Sequence, residues 1–387
     1  MLRAGWREGR RADGTPFGFT CPAPRRYPHQ WYWDSCFHAI AWRHFDPGRA
    51  REELRTLVRS MSPEGLVPHT VFWAGRARWR RAPLYATASP FGSFATGHTQ
   101  TPMLALAWEL VAGGDREFER EGIAPLARHY DWLARDRDPD GDGLVAILLP
   151  DESGLDDSPK YDPVYCRLAH YRPGYFRLVE RHRRRGYSAH AMIERFDHHL
   201  EDVLFNVAYA LSLRALHRMS GGARFLRRAE RAEARLMERC WDQGRGLFFD
   251  LAGRSERRIE VSTWSSLAPL ALPALPERVR RRLVEEHLLD RRRYAAPVGI
   301  PSVSMEEPSF RAGFDRFRCW RGPSWVNTSW LLVRPLRELG YEEEAARIVR
   351  SLTDTLEREG FREYYNPLTG HGHGARDFGW STLVVDL

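Results

Sequence analysis

Along residues 48–61 the apolar positions Ala50, Leu54, Leu57, Val58 and Met61 fall on one face of a 3.6-residue period, which predicts a half-buried helix. Segment 101–111, TPMLALAWELV, is apolar nearly all round and predicts a helix buried on both sides. The pairing recurs. Residues 203–216 are apolar all round, and 223–240 are amphipathic through Phe225, Leu226, Ala229, Leu236, Met237 and Cys240. It returns at 324–339 and 341–358, with Gly340 as punctuation. A helix without a polar face, followed by one with a charged outer face, is the signature of an inner ring of helices wrapped by an outer ring. About eleven such helices are countable, close to the full set of an (α/α)6 barrel, an all-α toroid. A stacked α-solenoid would also alternate in this way, but the chain shows no fixed sequence repeat. The strand-like stretches 66–73, 144–149 and 247–251 are short and fit hairpins in loops rather than a central sheet.

No clear linker divides the chain, so residues 1–387 read as a single domain. The least periodic part, 157–197, carries the basic run Arg181–Arg185 and is either a solvated surface or a lid-like insertion over a binding site. No run approaches the roughly 20 apolar residues of a spanning helix. The charged N-terminus, MLRAGWREGRRADG, has no signal-like apolar stretch, so no membrane association and a cytoplasmic location are expected. Five cysteines without a CxxC pair read as reduced thiols, not as a metal site. The formal charge of +8 is almost all arginine, with Lys160 the single lysine. The arginines alternate with Glu in 51–55 and 227–235, the spacing of ion pairs on solvated helix faces, so nucleic acid is not the expected partner. A homo-oligomer is left open.

The chemistry-bearing residues lie between the helices. Tyr27-Pro-His-Gln-Trp-Tyr-Trp-Asp-Ser35 sets Trp31, Tyr32 and Trp33 beside Asp34 at a helix entry. Asp34 or Ser35 alone could be an N-cap, but a cap does not account for three aromatic rings. Sugars are held by rings laid against their C–H faces and by polar groups on their hydroxyls, and this cluster offers both. Gly65-Leu-Val-Pro-His69 and Gly97-His-Thr-Gln-Thr-Pro102, which contains Gln100, are weaker loops of the same kind. Asp151-Glu-Ser-Gly-Leu-Asp-Asp-Ser-Pro159 holds four carboxylates, Asp151, Glu152, Asp156 and Asp157. Just upstream, Asp136–Gly143 is spaced like a calcium loop. Counted from Asp136, its twelfth position is Ile147 instead of a bidentate Glu, so it reads as a turn. Cys319-Trp-Arg-Gly-Pro-Ser-Trp325 supplies Trp320, Arg321 and Trp325. Phe361-Arg-Glu-Tyr-Tyr-Asn-Pro-Leu-Thr-Gly370 supplies Glu363 and Tyr364, and Trp380 follows. In a toroid such loops meet at one end. Two carboxylates on opposite sides of an aromatic cleft are what glycoside hydrolysis requires.

The ordered motifs Trp-x-Trp-Asp-Ser (31–35), Gly-Leu-Val-Pro-His (65–69), Ser-Gly-Leu-Asp-Asp-Ser (153–158), Trp-Arg-Gly-Pro-Ser-Trp (320–325) and Glu-Tyr-Tyr-Asn-Pro-Leu-Thr-Gly (363–370) resemble glycoside hydrolase family 63 and the related trehalases. The short bacterial mannosylglycerate and glucosylglycerate hydrolases resemble the chain best. The resemblance implies an (α/α)6 barrel and an inverting α-glycosidase without cofactor or metal. It places the general acid on Asp156 and the general base on Glu363. It lines the sugar pocket with Trp33, Asp34, Gln100, Trp320, Arg321, Trp325 and Trp380, with Glu152 and Asp157 as neighbours able to tune or replace Asp156; Tyr27, Trp31 and Tyr364, from the aromatic clusters, are further substrate-binding candidates. A small carbohydrate is the implied partner, and Arg167, Arg172 and Arg177 would suit a substrate carboxylate. Another family 63 α-glucosidase, or a trehalase-like disaccharide hydrolase, is the alternative. Remoter readings are a sugar epimerase using His371 and His373, and a non-catalytic carbohydrate-binding barrel.

Overall fold

The computed structural model describes residues 1–73, 94–138, 140–165, 172–196, 199–315 and 318–387, with 172–173 and 195–196 described in backbone only. Six rods form a closed inner ring: Tyr32–Trp42, Leu104–Ala112, Val203–Ser220, Trp264–Ala271, Val326–Glu338 and Gly379–Asp386. Each packs against the next, and the last returns to the first. Behind them lie Pro47–Arg59, Arg116–Asp136, Ala223–Arg235, Glu277–Arg282 and Glu342–Glu359. The chain is thus an all-α toroid of the expected kind. The periodicity decides which helix goes where. Val203–Ser220 buries residues all round its axis, whereas Ala223–Arg235 buries Phe225, Ala229, Ala232 and Glu233 and turns its arginines outward. Short caps punctuate the pairs. Asp202 accepts from the Phe205 N–H at 3.0 Å, Asp115 from Glu117 and Phe118, and Gly113 and Gly221 end their helices in the left-handed conformation.

Two inner rods differ from the expectation. Trp264–Ala271 and Gly379–Asp386 are short 3-10 segments rather than α-helices, the first interrupted by Pro269. The stretch 66–73 reduces to the two-residue strand Thr70–Val71, which pairs with Gln30–Trp31. Segment 144–149 forms no strand beyond a bridge between Ile147 and Leu200. Residues 247–251 do give hairpin strands, Leu247–Phe248 and the start of Asp250–Ala252.

The loops at one end of the ring are joined by backbone pairing. His69 N–H donates to the His98 carbonyl at 2.8 Å, Ser324 and Tyr365 exchange two bonds of 2.9 Å, and Gly379 N–H reaches the Pro22 carbonyl at 2.7 Å. These bonds bring residues 22–34, 65–71, 94–101, 319–325 and 361–380 to one place. Lys160, fully buried, fixes the exit of the 151–159 loop to the barrel through Asp202 at 2.6 Å, Asp250 at 3.1 Å and Ser265 at 2.9 Å. No helix among the described residues is long and apolar enough to cross a membrane.

Candidate active site

The loop carrying Asp156 begins with a 3-10 turn, Pro150–Ser153, closed by Gly154 at φ +75°. A Cβ on Gly154 would lie 2.5 Å from the Trp33 indole, so only glycine lets the loop pass beneath that ring. Residues on both sides of Asp156 are buried, while its own side chain meets solvent. Its carboxyl nevertheless stands deep among protein atoms. Burial, together with the field of Glu363, pushes it up to about 6. Asp157 turns away from the solvent. Its Oδ1 accepts the Trp320 N–H at 3.0 Å, and its Oδ2 is buried without a partner among the described residues. Burial and then the charge of Asp156 push Asp157 to about 8. Asp151, held by the Tyr175 hydroxyl, is likewise raised, by burial first and by Asp156 second.

Glu152 is not in the cleft. It is fully buried in a bidentate pair with Arg137, at 2.6 and 2.9 Å, and also accepts the Leu148 N–H at 2.6 Å and the Leu149 and Thr99 N–H groups at 3.3 Å. Burial alone would raise this carboxyl, but Arg137 overcomes it and holds it at about 2. A residue so enclosed orders the loop and cannot replace Asp156.

Glu363 lies on the strand Arg362–Tyr365, paired with Gly372–Arg376, where the register breaks between Arg362 and Tyr364. A bulge of this kind re-aims a side chain. Glu363 is 6% exposed and accepts from the Ala375 N–H at 2.7 Å, the Tyr27 hydroxyl at 3.0 Å and Arg26 at 3.4 Å. Burial raises its carboxyl, and these donors pull it back. Gly374, at φ +69°, passes so close that a Cβ there would sit 2.6 Å from the Glu363 Cβ.

The aromatic side chains of these motifs pack on one another. Trp320 lies on Trp325 at 3.9 Å and 6°, and Trp380 meets Trp325 edge-on at 5.3 Å and Trp33 at 5.6 Å. Tyr364 packs on Trp325 at 4.8 Å, and Tyr27 meets Trp31 edge-on at 5.7 Å. Asp34 is in the first turn of its helix rather than at the cap. Burial, with the fields of Asp156 and Glu363, raises its carboxyl well above the usual range. Gln100 accepts the Trp33 N–H at 3.0 Å and so orients that helix entry. Arg321 is engaged by Asp162 at 2.6 and 2.9 Å. Tyr32, by contrast, turns into the core and bonds His129 at 2.9 Å.

Sequence reasoning does not single out Arg26, Asp162 or Gly374. Only Arg26, adjoining Tyr27, carries a signal of position. Arg177 is exposed on the helix Arg172–Arg184, while Arg167 and the Arg172 side chain lie outside the described residues. His371 pairs at the surface with Glu359 at 3.3 Å, and its ring meets that of His373 edge-on at 5.0 Å.

The family model for the mannosylglycerate hydrolase MGH1-like glycoside hydrolase domain matches residues 27–381. The chain belongs to this glycoside hydrolase family. It is similar to the mannosylglycerate hydrolase of Rubrobacter radiotolerans, 31% identical over 95% of this chain and 92% of that one. It is 28% identical to the glucosylglycerate hydrolase of Mycolicibacterium hassiacum, over 95% and 93%. The crystal structure of the family 63 mannosylglycerate hydrolase of Thermus thermophilus in complex with Tris and D-glycerate superposes with a TM-score of 0.85 at 30% identity, covering 95% of this chain and 96% of that one. As a member of the mannosylglycerate hydrolase-like family, the protein is a glycoside hydrolase. Its toroid places the five sequence motifs at one mouth.

Proposed function

We propose that this glycoside hydrolase cleaves the α-glycosidic bond of mannosylglycerate or glucosylglycerate with inversion, using Asp156 as general acid and Glu363 as general base. The observation that carries the reading is the unequal setting of two carboxyls in one aromatic pocket. Burial dominates the surroundings of Asp156 and holds it protonated into mildly acidic solution. Glu363 has three donors aimed at its oxygens, the surroundings of a group that works as an anion.

In the forward step Asp156 gives its proton to the glyceryl oxygen as the bond to the anomeric carbon lengthens. Glu363 takes a proton from a water on the opposite face of the ring, and that water supplies the new bond. Inversion calls for carboxyl groups roughly 6.5–9.5 Å apart, with the water between them. Trp33, Trp320 and Trp380 supply apolar walls that strengthen both fields. Asp34, in the same pocket, suits the sugar hydroxyls. The helix Arg172–Arg184 reaches the acid loop through Tyr175, which bonds Asp151, and is read as part of a cover over it. The four described cysteines are free, which supports a reducing, cytoplasmic setting.

Proton NMR of the first sugar released from each glycerate glycoside tests the reading. The β-anomer is expected first. Initial α-anomer would reject inversion, and no release from either substrate, with turnover of trehalose, kojibiose or nigerose instead, would reject the substrate class.

A further inference from the structure

Two histidines of the weaker loops, His69 and His98, have no part in the hydrolysis proposed above. They are 6% and 1% exposed, and their rings stack at 4.8 Å and 28°. Neither ring nitrogen of His98 has a hydrogen-bond partner among the described residues. A neutral imidazole carries one donor and one acceptor, and burying both unpaired is costly unless a partner joins them. A histidine packed for shape alone keeps its nitrogens paired, as His129 does with the Gly65 carbonyl at 2.8 Å and the Tyr32 hydroxyl at 2.9 Å.

A carboxylate converges on the two rings. His69, His98 and Asp151 each offer a ligand atom within 4.8 Å of the other two. Three atoms so placed lie within about 2.8 Å of a common point, so zinc bonds of about 2.1 Å ask each to move by about 0.7 Å. The outer contacts suit ligation. His69 Nδ1 bonds the Thr70 hydroxyl at 2.8 Å, which leaves Nε2 able to bind a metal. Asp151 Oδ2 accepts from the Tyr175 hydroxyl, which leaves Oδ1. The three segments are already fixed to one another. His69 N–H donates to the His98 carbonyl at 2.8 Å, and the Thr101 hydroxyl donates to the Ser153 carbonyl at 2.7 Å. Asp151 is partly exposed, so solvent reaches this side of the cluster. His182, buried on the helix Arg172–Arg184, is not among the groups that converge.

We infer that His69, His98 and Asp151 form a site for a divalent transition ion of the zinc class at the start of the acid loop, with water in the fourth position. Two imidazoles and one carboxylate suit zinc, and they lack the oxygen shell that Ca²⁺ or Mg²⁺ needs. A bound ion staples the loops 65–71, 94–101 and 151–159 to one another and so steadies the segment that carries Asp156.

The test uses the whole enzyme, stripped with EDTA, desalted and kept in millimolar CaCl2 so that any all-oxygen site stays filled. Calorimetric titration with ZnCl2 should show one saturable site per chain. CoCl2 in its place should give the intense visible bands of four-coordinate cobalt. Zinc at roughly 100 times its Kd should raise the melting temperature by about 3 °C. Asp151→Asn keeps an acceptor for the Tyr175 hydroxyl, and His98→Gln keeps a polar side chain. Each should lose zinc affinity at least about tenfold, a difference of about 1.4 kcal/mol. His371→Gln, at the surface, should leave the affinity unchanged. Four results would overturn the assignment: no saturable zinc binding with equal melting in EDTA and ZnCl2, the pale spectrum of six-coordinate cobalt, unchanged affinity in Asp151→Asn or His98→Gln, or loss of the zinc response in His371→Gln. The titration and melting data on the unaltered enzyme decide the matter even if a variant fails to fold. Binding is read without substrate, so its failure leaves the glycosidase reading standing.

Discussion

At the scale of single residues, two adjacent aspartates face different worlds. Asp156 looks into the cleft, whereas Asp157 is turned inward onto the Trp320 N–H. Asp156→Asn should therefore lower kcat about 10³-fold with an unchanged far-UV spectrum, within the range of a lost general acid. Asp157→Asn keeps an acceptor for the same N–H and should retain most of kcat. The reverse ranking would move the acid to Asp157. The pH profile follows from the same groups. The acid must be protonated, so activity should fall as pH rises through about 6. The base must be ionised, so activity should also fall as pH drops through a Glu363 value that lies above the ordinary 4.5. The result is a narrow bell reporting the pair rather than either residue alone. Tyr27→Phe removes a donor from the Glu363 carboxylate, and the acidic limb of kcat against pH should then move upward. Most of these residues are legible in the sequence because they lie in contiguous motifs, most of which carry a carboxylate or a tryptophan. Glu152 misleads for the same reason: proximity to the motif looks like function, while its partner Arg137 comes from the preceding helix end.

At the scale of elements, the hydrophobic period reads the long helices well, because their two faces meet different media. Trp264–Ala271 and Gly379–Asp386 escape it. Both are too short to show a period, and most of each is buried, so neither has a charged face to contrast with an apolar one. The acid loop itself depends on one buried ion pair. Arg137→Met would leave the Glu152 carboxylate enclosed and uncompensated, and should destabilise the fold by about 3–5 kcal/mol in urea unfolding. The sign of the pH effect is fixed by the lowered value of Glu152. Its contribution is complete above the unfolded carboxyl range near about 4.3 and fades as pH falls toward about 2. Arg137→Met should accordingly flatten the acid side of the stability curve.

At the scale of the whole molecule, the toroid is closed by its final rod. Gly379–Asp386 packs on Tyr32–Trp42, contributes Trp380 to the pocket, and is latched by Asp386 to Arg43 at 2.5 Å and to Trp330 at 2.8 Å. A chain ending at Phe378 should lose activity entirely and melt well below the full chain in calorimetry, because it both opens the ring and exposes Trp33 and Phe37. The large net charge is compatible with this fold because many arginines are matched across helices, as in Arg214–Glu233 and Arg218–Glu109.

The order in which the ring is spelled along the chain has a consequence for biosynthesis. Asp34 and Asp156 leave the ribosome long before Glu363 and Trp380, and the closing rod emerges after every other one. A nascent chain holds an incomplete cleft in which Asp156 has no Glu363 to oppose it. Premature termination anywhere upstream would leave a catalytically silent product, so the sugar-cleaving activity switches on only with completion of the ring.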